Sequence, residues 1–225
     1  MTGTLKTTLI QNPSSADVNI TLGTSGEVTL AKSPVLNGST SGTLTIAAPA
    51  VAGTNTQTLV AATGTLAPLI SATAQASTSG TSIDFTGIPS WVKRITVMFS
   101  GVSTNGSSDV IVQVGDSGGI ENTGYLGAGS NLAASTVATS NYTTGFGFGA
   151  WTASASIAHG AMVWNLLDAA TNTWAGFGSV ARSNAAGMAT GSSAKSLTGT
   201  LTQIRITTLN GTDTFDAGTI NIMYE

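Results

Sequence analysis

The chain has 225 residues, of which 7 are Lys or Arg and 10 are Asp or Glu, so about 8% of it is charged where a soluble domain usually carries about 25%. A net charge of −3 argues against nucleic-acid binding, which needs clustered Lys and Arg to neutralise phosphates, and the absence of cysteine excludes disulfides, thiolate metal sites and a cysteine nucleophile. No run of 18 apolar residues offers a transmembrane helix, and the start Met1-Thr-Gly-Thr-Leu-Lys6 lacks the basic and apolar pattern of a secretory signal, so neither membrane insertion nor general export is expected.

All 13 aromatic residues lie at or beyond Phe85. The segment before it lacks the side chains that bury most area in a core, so it is poorly equipped to fold alone. Short β patterns recur there at Val18–Leu22, Val28–Leu30, Leu44–Ile46 and Thr58–Val60. Two of them belong to a repeat, because Thr24-Ser-Gly-Glu-Val-Thr-Leu-Ala31 aligns with Thr40-Ser-Gly-Thr-Leu-Thr-Ile-Ala47 at a spacing of 16, with Pro34 and Pro49 soon after. Ala62-Thr-Gly-Thr-Leu-Ala67 is a weaker third copy. A turn, a short strand and a proline stop cannot bury an apolar face without neighbours. Residues 1–70 therefore read either as an obligately oligomeric β-stalk or as a flexible Gly/Ser/Thr linker. The stalk is the expectation carried forward.

Residues 71–81, Ser-Ala-Thr-Ala-Gln-Ala-Ser-Thr-Ser-Gly-Thr, have no strong β pattern and read as a hinge. Residues 82–225 then form a unit large enough for its own core. Strands are predicted at Ser82–Phe85, Arg94–Phe99, Asp109–Val114, Ala161–Leu166, Ala175–Ala181, Leu201–Thr208 and Thr219–Tyr224, with the Asn210-Gly211 turn signal before the last. Many short strands joined by turns fit an all-β sandwich, jelly-roll-like in its simplest form. Between Gly115 and His159 the alternation is lost, although Ser140–Phe148 fits a strand interrupted by glycine.

The sharpest catalytic motif, Gly115-Asp116-Ser117-Gly118-Gly119, matches the nucleophile region of chymotrypsin-like proteases. That chemistry needs a histidine base, which precedes the serine in that family, whereas the single histidine here, His159, follows it. The motif reads as a turn ending a strand. Asp213 and Asp216 sit three apart in an oxygen-rich turn and read either as a weak calcium site or as backbone caps. Gly145-Phe-Gly-Phe-Gly149 has no phosphate-loop ending, and its glycines fit a close neighbour or a flattened strand. Nothing in these patterns assigns a catalytic residue, a metal or a cofactor. The candidate contact residues are Tyr142 and Trp151, aromatic rings in the irregular stretch able to face a sugar. Trp91 is expected to cap one end of the sandwich. Lys93 and Arg94 either pair across a subunit interface or form a solvated strand start.

The segments Thr7-Thr-Leu-Ile-Gln-Asn-Pro-Ser-Ser-Ala16, Asn19–Gly26, Ala48–Asn55 and Thr58–Thr65 resemble shaft repeats of fibre-like virion proteins of tailed bacteriophages, marine phages above all. Ser82–Phe99 and Arg205–Ile222 look like segments at the ends of phage structural proteins. The resemblance implies a non-enzymatic homotrimer on the virion surface, made in the host cytoplasm. Its N-terminal region would dock on a capsid or tail protein, and its knob would attach to the host surface, a glycan being one target. Since such modules occur in tail fibres, head fibres and capsid decorations, and this stalk is short, the head location stands as the alternative.

Overall fold

A computed structural model of the protein describes residues 9–11, 18–22, 28–30, 35–37, 41, 43–46, 67–149, 154 and 156–225. The chain divides into two units, Met1–Gly64 and Thr65–Glu225.

In the first unit, β1 (Leu9–Gln11), β2 (Val18–Leu22) and β3 (Val28–Leu30) form an antiparallel sheet, with Ile20 opposite Ile10 on one side and Leu30 on the other. A separate hairpin pairs β4 (Val35–Asn37) with β5 (Thr43–Thr45), Leu36 lying opposite Leu44. β2 and β3 have the predicted bounds, whereas the strand expected at Leu44–Ile46 lies one residue earlier, at Thr43–Thr45, and leaves Ile46 outside it. The expected strand at 58–60 lies outside the described residues.

The second unit begins with β6 (Ile70–Ser71) and β7 (Gln75–Ala76), followed by β8 (Ser82–Thr86), β9 (Arg94–Thr104) and β10 (Val110–Asp116). Next come β11 (Gly119–Ile120), β12 (Leu126–Ala133), β13 (Thr136–Tyr142) and β14 (Phe146–Gly147). A meander of β15 (Ala158–Asp168), β16 (Thr173–Arg182) and β17 (Gly187–Ser196) precedes β18 (Gln203–Thr208) and β19 (Phe215–Tyr224). Every pairing is antiparallel, and no helix occurs among the described residues. The strands make two sheets. The smaller has the order β11-β10-β18-β8, with β14 also on β10; the larger runs β13-β12-β17-β16-β15-β9-β19-β6, with β7 also on β19.

Alternation builds the core between the sheets. Ile83 and Phe85 on β8, Val112 and Val114 on β10, and Ile204 and Ile206 on β18 all turn inward from the smaller sheet. They meet Ile95, Val97 and Phe99 of β9, Met162 and Trp164 of β15, and Ile220 and Ile222 of β19. Aromatic rings fill the middle: Phe146 lies 5.1 Å from both Tyr125 and Trp164, and Phe148 meets Phe99 edge-on at 5.4 Å.

Two expectations require correction. The segment 71–81 is no hinge, because β6 and β7 add to the edge of β19. Ser77 fixes it further, its amide donating to the Gly218 carbonyl at 2.9 Å and its buried hydroxyl to that of Ala217 at 2.9 Å. The unpaired backbone of β19 supplies ladder partners that a weak local pattern does not reveal. The stretch after Gly115 contains β11, β12, β13 and β14, and the glycine-interrupted strand expected at Ser140–Phe148 is divided between the end of β13 and the two-residue β14, because residues 143–145 turn the chain from the larger sheet onto β10.

Candidate functional site

Tyr142 is not the exposed ring that the sequence suggests. It is fully buried, its hydroxyl donating to the Asp109 carboxylate at 2.7 Å and accepting the Gly149 amide at 3.0 Å. No face is left for a sugar. The ring is enclosed because Gly147 supplies no Cβ, which would come within 2.4 Å of it. Trp151 lies outside the described residues. Trp164 and Trp174 are core residues at 0% and 3% exposure. Trp91 stays partly exposed at the end of the sandwich, its ring tilted against Tyr224 at 6.0 Å.

Arg94 opens β9 and pairs at 3.0 Å with Glu225 of its own chain, both side chains about half exposed. Lys93 is exposed, and its amide donates to the Glu225 carbonyl at 2.7 Å. The pair thus sits at the start of β9. Ser117 and Gly118 form the two-residue turn joining β10 to β11, closed by Asp116 opposite Gly119 and by the Gly118 amide donating to the Asp116 carboxylate at 2.7 Å. His159 is engaged elsewhere: Nδ1 accepts the Gly101 amide at 3.1 Å and Nε2 contacts the Ser183 hydroxyl at 3.2 Å. Asp213 caps backbone and amide, accepting from Ser108 N at 2.9 Å and Asn210 Nδ2 at 2.7 Å, while Asp216 accepts the Ser103 hydroxyl. Among the described residues, no three histidine, aspartate or glutamate side chains gather as metal ligands do.

One polar network has no local signature, because its members lie far apart in the chain. The Thr198 hydroxyl lies 2.7 Å from a carboxylate oxygen of Asp116 and 2.9 Å from one of Glu121; the Thr198 amide donates to Glu121 at 2.8 Å. Lys195, almost completely buried, ion-pairs with Glu121 and lies 5.6 Å from the centre of the Tyr125 ring. Asp116 is held below the usual carboxylate range by the Thr198 hydroxyl and the Gly118 amide. Burial works to raise Glu121, yet Lys195 and Thr198 together hold it low. Both carboxyls are thus kept ionised. The pair lacks the raised, protonated carboxyl on which glycoside hydrolysis draws, and its geometry staples the β10–β11 turn to the chain leaving β17.

Two surfaces of the second unit remain. A polar groove of about 340 Å³ runs over the outer face of the smaller sheet, lined by Gln113, Asn122, Thr144, Arg205 and Thr207 among others. Arg205 there makes a two-pronged pair with Asp84 at 2.7 and 2.8 Å, and the buried Thr144 hydroxyl has no hydrogen-bond partner. The outer face of the larger sheet differs in carrying no charge across its middle. Register places Val163, Phe177, Ser192, Ala128 and Asn141 in one outward row and Ala161, Ser179, Thr190, Ser130 and Thr139 in the next. No charge interrupts either row. No family model, no characterised protein and no solved structure matches this chain, so these two surfaces and the fold beneath them carry the functional argument.

Proposed function

We propose that the protein is a non-enzymatic structural component of a bacteriophage particle, a short homotrimeric fibre with an N-terminal stalk docked on the virion and a C-terminal knob exposed for host attachment. The observation that carries this reading is the joining of a repeat-bearing, aromatic-free segment to an all-β unit of two antiparallel sheets that share one core. In the first unit, Leu36 of β4 is 52% exposed and Ile46, just beyond β5, is 58% exposed, as expected of strands that complete their packing on other chains. Three chains wound together would also leave no free sheet edge.

A jelly roll is supported by strand order. Counting eight positions along the chain, its sheets run first-eighth-third-sixth and second-seventh-fourth-fifth. Here β8, β18, β10 and β14 take the first set; β9, the β15–β17 meander, β12 and β13 take the second, with β19 added outside β9. Virus capsid proteins and lectins both use this architecture.

The test is native mass and location. Light scattering of the full chain is expected to give three chains, with a band at that mass in unheated gel samples; a 22.3 kDa species at micromolar concentration would overturn the reading. Cryo-microscopy of particles carrying the protein separates a tail fibre from the second reading, a head fibre or capsid decoration, which predicts density at three-fold or quasi-three-fold capsid positions. A glycan-binding knob is favoured by one observation, the groove with its unpartnered Thr144 hydroxyl. A glycan array comparing wild type with Gln113→Ala tests it: array signals weakened by the substitution support it, and no signal from either protein ends it.

A further inference from the structure

We infer that the outer face of the larger sheet is an interface between copies of this chain, with Phe177 of one copy seated against β12, β13 and β17 of the next. The inference rests on the proposed self-assembly and names the surface that performs it. Large apolar side chains are exposed on this face: Leu126, Val137 and Phe177 are 77%, 69% and 61% exposed, Leu132 and Met188 are exposed in one cross-strand row with Val137, and Leu167 is exposed near the end of β15. Such a cluster on one face is unlike scattered surface hydrophobics and marks a contact site.

Three features point to a second copy as the occupant. The outward positions of β13, β12, β17, β16, β15, β9 and β19 carry no charge in their central rows, whereas Arg94, Asp168, Arg182 and Asp216 stand at strand ends. An uncharged centre, in which Val163, Phe177, Ala128 and Ala161 alternate with Ser, Thr and Asn, inside a charged rim fits the depletion of charge at interface cores, and a neutral face meets its own copy without like-charge repulsion. Seven strands by about seven residues cover roughly 34 by 23 Å. That area, on the order of 800 Å², is what one partner contributes to a standard interface. The face is also complementary to itself. Phe177 projects from β16, while a shallow, open depression lies over Ala128, Ser130, Thr139, Thr190 and Ser192 on the neighbouring strands. Knob and depression sit on different strands of one face, so each copy can give its ring to one neighbour and receive a ring from the other. Such head-to-tail contacts form a ring when the rotation between copies closes, as a trimer requires.

The chain has no cysteine, so single-cysteine variants of the full protein report the face directly. Ser192→Cys lies on it, and Thr86→Cys, exposed on β8 of the other sheet, is the control. Maleimide is expected to react at least about tenfold more slowly with Ser192→Cys than with Thr86→Cys in the native protein, and equally fast with both in urea. Adding Phe177→Asp should bring position 192 to the control rate, whereas Phe177→Leu should preserve protection, with circular dichroism reporting the fold of each. Equal native rates overturn the interface. If the native mass is then still that of an assembly, only this inference fails; if it is that of one chain, the proposed trimer fails with it. Protection in a single-chain species would assign the cover to the chain's own first unit and overturn the second-copy assignment.

Discussion

Tyr142 shows how one residue converts a loop-like composition into a packed layer. Its ring fills the space that Gly147 leaves, and its hydroxyl joins Asp109 to the Gly149 amide. Tyr142→Phe keeps the ring and removes both hydrogen bonds, so urea denaturation is expected to show a loss of about 1–3 kcal/mol; an unchanged midpoint would contradict this role. Tyr125 is the second such residue, its hydroxyl donating to the Glu121 carbonyl at 2.7 Å and accepting the Val114 amide at 2.9 Å. Burial pushes both phenols well above their ordinary range, and Asp109 adds to the effect at Tyr142. A raised folded-state value means that stability is intact below the unfolded value of about 10 and is lost as pH rises beyond it. The carboxylates act oppositely. Hydrogen bonds from Thr198 to Asp116, from Ala170 and Thr171 to Asp168, and from Asn210 and Ser108 to Asp213 lower those groups, as Lys195 and Thr198 lower Glu121. Their contribution is present above about pH 4 and fades as pH falls below it. Urea midpoints should therefore form a plateau from roughly pH 5 to 9 and drop on both sides. Absorbance at the phenolate band should show Tyr125 and Tyr142 ionising only as the protein unfolds; their titration in a still-folded chain would contradict the burial argument.

At the scale of elements, the sheet layers approach one another through glycine. A Cβ on Gly191 of β17 would come within 2.0 Å of the Gly147 carbonyl oxygen, and one on Gly129 of β12 within 2.4 Å of the Gly149 amide. The 146–149 segment therefore lies directly on the inner face of the larger sheet. Gly191→Ala is expected to cost about 1–3 kcal/mol, because backbone must move to admit the methyl group, while Ser192→Ala, one residue along and outward, should stay within about 0.5 kcal/mol. Paired thermal melts check this, and equal melting temperatures would refute the close approach. The same contacts explain what was legible beforehand. Strands β8, β9, β18 and β19 set Val, Ile and Phe at alternate positions, and β10 opens on the apolar run Val-Ile-Val, patterns that need no tertiary knowledge. By contrast, β12 (Leu-Gly-Ala-Gly-Ser-Asn-Leu-Ala) and β17 (Gly-Met-Ala-Thr-Gly-Ser-Ser-Ala-Lys-Ser) are central strands built of residues with weak strand preference. Their inward glycines are required by β14, a partner about twenty residues from one and more than forty from the other. Tyr142 was misread for the same reason, since its glycine-rich setting looks like a loop until the layer beneath it is known. The staple of Asp116, Glu121, Lys195 and Thr198 has no local periodicity, and only folding brings its members together. The Ser117 turn and the capping role of Asp213 could be anticipated, because turn chemistry is local.

For the whole molecule, scarcity of charge becomes a statement about how copies meet. The exposed ion pairs Arg94–Glu225 and Arg205–Asp84 lie at the ends and on the smaller sheet, where such pairs add little to stability. The broad face of the larger sheet has none in its central rows. If copies join through that face and through the repeat strands, burial of apolar surface rather than charge pairing holds them, and added salt screens nothing on which the assembly depends. Raising sodium chloride from about 0.05 to 1 M shortens the screening length from roughly 14 to 3 Å, which would loosen an assembly held by ion pairs. Here, light scattering across that range is expected to give a constant native mass, and the melting temperature should stay level or rise slightly. Sodium sulfate should raise it further, since excluded salts strengthen apolar burial. Dissociation at 1 M sodium chloride would show that unseen charge contacts hold the copies together and that the apolar face is not the main joint. A constant mass accompanied by loss of maleimide protection at position 192 would place the joint elsewhere, in the repeat strands of the first unit.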